Sequence, residues 1–225
     1  QRFSMRHGAQ RTCAVRLPIP LSAKADSPLG RLMETLTRER PNTPHRILWT
    51  RTRCAALEAA GVLTHRYELI EGDILDKMGQ KLPHRTAVTF TLAWALEVFG
   101  RDYIQNQAEI DVSPEDNPTS EPQPDVTVLR VPLGQLTDNP TPSQIALLIE
   151  VSDSTLAFDL GAKARLYARA SIEEYWVLDV SGRQLHIHRA PQNGTYTQTT
   201  IHFPHDTVAP LAAPQGTVLV STLLP

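Results

Sequence analysis

The sequence predicts one α/β (α+β) domain, a mixed β-sheet flanked by helices, behind a basic leader. Three observations carry this. "IALLIEV" and "YWVLDV" are unbroken apolar runs, the composition of strands buried on both faces. Between them, Leu156, Leu160, Ala164 and Tyr167 recur at helical spacing, and strand, helix and strand in that order imply a right-handed crossover and a parallel pair. Alternating segments broken by Asn-Gly, Gly-Asp and Pro supply hairpins and loops. A chain of 225 residues, 41% of them apolar, can bury a sizeable core in a single domain.

The elements follow in order. Residues 1–45 show no period and are rich in Pro and Arg, so they read as a poorly ordered leader, and residues 46–225 read as the folded domain. Charge divides along similar lines. Residues 1–53 hold eleven Lys or Arg against three acids, whereas the remainder holds eleven against twenty-one, a basic arm on an acidic body. "WTRTRCAALEAAG" places Cys54, Leu57 and Ala60 at helical spacing with Gly61 as the stop. "RYELIEGDILDKM" reads as two short strands around a Gly72-Asp73 turn, and "RTAVTFTLAWALEVFG" as a helix with Val88, Leu92, Ala95, Leu96 and Phe99 on one face. "PDVTVLRV" alternates Val126, Val128 and Val131, a strand with one buried face. "RQLHIHRA" and "TYTQTTIHF", joined through Asn193-Gly194, form an antiparallel hairpin.

Chemistry gathers at three positions. Glu150 ends a run otherwise apolar, where a charged carboxylate is costly unless it is paired or binds a metal. Asp125 follows Pro124 at the start of the preceding strand, and two such carboxylates on neighbouring strands suit a hard divalent cation. The alternative is structural: Glu150 pairs with Arg165 or Arg169, and Asp125 caps a turn. Lys163 stands out because Arg supplies eighteen of the twenty-two basic residues. A compact ammonium at that point can orient a water or offset developing charge, although Asp159, four residues earlier, also allows an ordinary surface pair. His186 and His188 alternate on one strand face, either as solvated residues or as chelators. Cys13 and Cys54 are too few for a disulfide framework, so a reducing, cytoplasmic compartment is expected. No apolar run approaches the roughly 20 residues of a membrane helix, and no membrane partner is expected.

Taken together, "EPQPDVTVL", "LLIEVSDST" and "DLGAKARLYARASIEEYWVLDV" resemble the Uma-type restriction endonucleases, a branch of the PD-(D/E)XK nuclease superfamily. The resemblance runs from about Trp49 to Phe203 and includes "YELIEGDI" and "LPHRTAV". It implies a restriction-endonuclease-like core and a metal-dependent endonuclease acting on DNA, with Mg²⁺ or Mn²⁺ as cofactor. Asp125 becomes the Asp of the PD element and Glu150 the acid of the (D/E)XK element, both as metal ligands. Ser152 stands where the motif expects Lys. In this branch that Lys is displaced onto the next helix, which makes Lys163 the third catalytic residue. Glu68 matches a further acidic position, His84 a position near a helix start, and Tyr167 stands one turn from Lys163 as a buttress. Asp125 and Glu150 are expected to bring their carboxyl groups to about 4 to 6 Å, since Mg²⁺ binds oxygens at about 2.1 Å. DNA is the implied partner and a homodimer is left open. A catalytically idle relative that binds nucleic acid or protein is the alternative.

Overall fold

A computed structural model describes residues 47–225 apart from 78 and 80, so the leader and Cys13 lie outside the described residues. Helix α1 (Arg51–Ala59) starts where the Thr50 side chain accepts a hydrogen bond from the Arg53 amide, and the chain leaves it through Gly61 at φ 67°. Of its residues only Cys54 is buried. Strands β1 (Tyr67–Ile70) and β2 (Asp73–Asp76) form an antiparallel hairpin. Its turn is Glu71-Gly72, one residue earlier than the sequence suggested, with φ 49° and 83° at the two positions. Only glycine suits the second, because a Cβ there would come within 2.7 Å of the Leu48 Cβ.

Helix α2 (Leu82–Phe99) buries Ala87, Val88, Thr91, Trp94 and Ala95. Leu96, assigned to the core from sequence, is 38% exposed. Trp94 is the reason: its ring stacks on Trp176 at 5.4 Å between centroids, which fixes the helix about its axis and swings Leu96 outward.

Six strands build the main sheet, in the order β3 (Ile104–Asn106), β4 (Val126–Leu129), β5 (Ile145–Ser152), β6 (Glu174–Asp179), β7 (Gln184–Gln192) and β8 (Thr195–His202). β5 and β6 are parallel and the other pairs antiparallel, so the sheet is mixed as expected. The β7–β8 hairpin turns through Asn193-Gly194 at φ 53° and 75°. β4 departs from the one-faced reading. All four of its residues are buried, and Val131 lies beyond the strand, because the strand is interior to the sheet and both faces are covered. A small antiparallel pair, β9 (Thr207–Val208) and β10 (Val218–Leu219), completes the strands among the described residues.

The crossover from β5 to β6 is helical but not one regular helix. Helix α3 (Leu156–Phe158) opens into a π-turn (Asp159–Lys163) that continues as α4 (Ala164–Arg169). Side chains of β5 alternate between faces. Leu147, Ile149 and Val151 join the cluster beneath α2, while Leu148 joins the cluster with Ala164, Leu166 and Tyr167. Glu150, in phase with Leu148, therefore points toward the crossover.

Candidate active site at the end of the parallel strands

Strand pairing brings the two predicted acids together. Val126, the first residue of β4, lies opposite Ile149, so Asp125 and Glu150 are each the next residue along their neighbouring segments. Both carboxylates are buried and line one open cavity of about 680 Å³, with Glu68, His84, Asp159 and Lys163 in the same wall.

Lys163 is the one lysine buried in that wall, its side chain 4% exposed. Its Nζ donates to Glu150 Oε1 at 2.8 Å and stands 2.9 Å from Glu68 Oε2 and 3.9 Å from Asp159 Oδ1. The surface pair with Asp159 allowed by the spacing is therefore not what forms. Both residues are buried, on the inner side of the π-turn. The pairing of Glu150 with Arg165 or Arg169 does not form either; Arg169 instead bridges Asp116 and Glu71. Tyr167 donates its hydroxyl to Glu150 Oε1 at 3.0 Å, so this core aromatic also touches the acid. Ser152, where the plain motif has lysine, is buried and hydrogen-bonds with Thr155.

Asp125 is held on all sides. Oδ2 accepts the Val151 amide at 2.9 Å, Oδ1 accepts Gln107 Nε2 at 3.0 Å, and His84 Nε2 lies 3.4 Å from Oδ2. His84 occupies the first turn of α2, which delivers it to the head of β4. Burial alone would raise the Asp125 pKa, but the hydrogen bond and charge of His84 and the Val151 amide outweigh it and hold the carboxyl below its usual range. Burial would likewise lower the His84 pKa, and Asp125 reverses that and holds it above the usual value.

Glu150 goes the other way. Burial, opposed by Lys163 and reinforced by the charges of Glu68, Asp125 and Asp159, pushes its pKa up to about 8. Burial would lower the Lys163 pKa, but Glu150, Glu68 and Asp159 dominate and hold the ammonium well above its ordinary range. Buried carboxylates thus outnumber the buried ammonium at the cluster.

Three parts of the site were missed in the sequence. Lys77 ends the hairpin, donates to the Gln123 carbonyl at 2.7 Å and lies 3.4 Å from Glu68 Oε1. Asp159 has the spacing of an ordinary surface pair, and no motif marks Gln107. A compositional signal for Lys77 existed. The chain has only four lysines, and Lys77, Lys81 and Lys163 all line this cavity. His186 and His188 lie elsewhere, on β7, and both are buried rather than solvated. His188 stacks against Tyr175 at 5.6 Å between centroids.

A mixed six-stranded sheet with an acid–lysine cluster at the end of its parallel pair defines a nuclease-like α+β domain. Residues 62–221 match the Uma2 family, described as "Putative restriction endonuclease". That span is well over half of the chain, and the chain belongs to this family. It is also similar in fold to the crystal structure of "a putative nuclease belonging to DUF820" from Anabaena variabilis ATCC 29413, with a TM-score of 0.55 and 14% identity over 74% of this chain and 96% of that one. No curated protein matches the chain. Among the described residues, no helix is long and apolar enough to cross a membrane.

Proposed function

We propose that the chain is an endonuclease that hydrolyses DNA phosphodiester bonds at the cavity of Asp125, Glu150 and Lys163, with Mg²⁺ or Mn²⁺ as cofactor. The observation that carries this reading is the surplus of buried carboxylates facing one open cavity, Glu68, Asp125, Glu150 and Asp159 beside the single buried ammonium of Lys163. A divalent cation between Asp125 and Glu150 would relieve that surplus. The donor set fits: hydrogen bonds to Glu150 from the described residues all fall on Oε1, so Oε2 remains to face a cation. Two carboxylates suffice for Mg²⁺, which keeps several waters and takes substrate phosphate oxygens as further ligands. When bound, the ion would supply a polarised phosphate and a water of lowered pKa.

The chain's own residues would do the rest. Lys163, held protonated, can orient a water or donate to a phosphate oxygen but cannot act as a general base. Tyr167, whose pKa burial and the Glu150 charge raise well above the usual value, stays a neutral donor and fixes the Glu150 rotamer. His84, Gln107 and the Val151 amide fix Asp125.

The idle reading keeps one supporting observation: among the described residues, no three His, Cys, Asp or Glu side chains form a metal cage. Plasmid and oligonucleotide DNA incubated with Mg²⁺ or Mn²⁺ separates the two. Cleavage that disappears in Glu150→Ala and Asp125→Asn is the expected result. Folded, pure protein that leaves both substrates intact with either ion defeats the nuclease reading.

A further inference from the structure

We infer that Glu68 is a positioning residue for Lys163 and not a ligand of the cation. The inference rests on the nuclease reading above.

Glu68 belongs to β1, outside the main sheet, yet its carboxylate is buried where three segments meet. Oε1 accepts the Gln123 amide at 2.7 Å, two residues before Asp125, and also accepts from Lys163 Nζ at 3.1 Å. Oε2 takes Lys163 Nζ at 2.9 Å, so the ammonium is gripped by both oxygens. Lys77 adds a second ammonium 3.4 Å from Oε1. A carboxylate offers about four lone-pair directions. Those of Glu68 face one amide and two ammonium groups, and a cation there would meet positive charge on two sides. Glu150, by contrast, keeps Oε2 clear.

Glu68 thus holds Lys163 beside Glu150.

Three readouts on the full chain test this. The first observes the ammonium directly by the ¹⁵Nζ resonance of Lys163, which is seen only when a buried, hydrogen-bonded ammonium exchanges its protons slowly and is assigned by its loss in Lys163→Met. It should be present in the unmodified chain and lost or broadened in Glu68→Gln; an unchanged signal overturns the anchor. The second is Mn²⁺ binding by calorimetry in the Lys163→Met background, where the anchor has nothing left to hold. Adding Glu68→Gln there should leave affinity unchanged within about threefold, whereas loss of a ligand, or of a group supporting the metal directly, costs about 10- to 100-fold. The third is a cleavage cycle: Glu68→Gln and Lys163→Met should each lower kcat with KM for DNA unchanged, and the double variant should be no worse than Lys163→Met. Additive losses overturn the inference. If Glu68→Gln alone fails to fold, the double variant still serves for the metal titration, because both buried charges are gone together. An unmodified chain that binds no Mn²⁺ defeats the metal reading itself, and the ammonium signal then decides the anchor alone.

Discussion

Lys163 stands among Glu68, Glu150 and Asp159 with 4% of its side chain exposed, so deleting its charge leaves three buried carboxylates facing one another. The sequence allowed an exposed Lys163–Asp159 pair contributing only about 0.3 to 0.5 kcal/mol, and burial overturns that figure. Lys163→Ala should cost about 3 to 5 kcal/mol in urea denaturation, because breaking a buried pair strands its partner. Adding Glu68→Gln should recover part of it. A loss below about 1 kcal/mol would mean that the cluster is not ionised as described. His188 gives a separate, pH-dependent expectation. Burial, aided by the neighbouring His186, holds its pKa down to about 4. Above the ordinary value of about 6.5 both folded and unfolded chains are neutral there. As pH falls from about 6.5 toward 4 the unfolded chain takes up a proton that the folded one refuses, so stability drops, by roughly 3 kcal/mol at most. Thermal melts across that window should fall more steeply for the unmodified chain than for His188→Phe, which keeps a ring against Tyr175 without a titrating nitrogen. Parallel slopes would reject this assignment.

At the scale of elements, the decisive feature is the π-turn between α3 and α4. A regular α-helix advances about 100° per residue, so a segment with one residue too many for its turns re-phases everything beyond it. Here Asp159 and Lys163 are buried within the π-turn and Tyr167 one turn beyond it. Deleting Gly161 should restore a regular helix and rotate Lys163 by about 100° away from Glu150. The expected outcome is helical circular dichroism close to that of the unmodified chain with cleavage lost. Retained cleavage would show that Lys163 reaches its place without the wide turn. Strand register acts with equal force on the other half of the site. Because side chains alternate with a period of two, a slip of one residue between β4 and β5 would put Asp125 and Glu150 on opposite faces.

For the whole molecule, the proposed substrate sets an acidic body against a polyanion. Residues 47–225 carry thirteen Lys or Arg against twenty-one acids, and residues 1–46 carry nine against three. We propose that this basic segment supplies phosphate contacts and takes no part in the chemical step. A chain beginning at residue 47 should melt within a few degrees of the full chain and keep its kcat. Its DNA affinity should be weaker and less dependent on salt, since each phosphate contact contributes about 0.9 to the logarithmic slope. Equal slopes for the two chains would make the segment inert toward DNA. A large drop in melting temperature would show that the domain boundary belongs elsewhere.

The sequence by itself determined the parallel pair, its helical crossover, the β7–β8 hairpin and the identity of Asp125, Glu150 and Lys163 as an associated set. Those features are written in local pattern: unbroken apolar runs, spacing of three and four, Asn-Gly between alternating segments, and a motif of three parts. What the tertiary structure alone decided is how the parts face one another. Asp159 and Lys163 at a spacing of four are equally a solvated pair or a buried one, and only the π-turn and the sheet beneath it select burial. Leu96 looked like core until Trp94 stacked on Trp176 and fixed the helix rotation. Glu68 and Lys77 lie 95 and 86 residues from Lys163 in the chain, and no local pattern records that a hairpin will carry Glu68 to its ammonium and Lys77 to Glu68. The physical reason is common to all three. Short-range pattern reports which residues prefer to leave water, whereas the partner that a buried charge finds depends on contacts between segments far apart in sequence, set by packing and register.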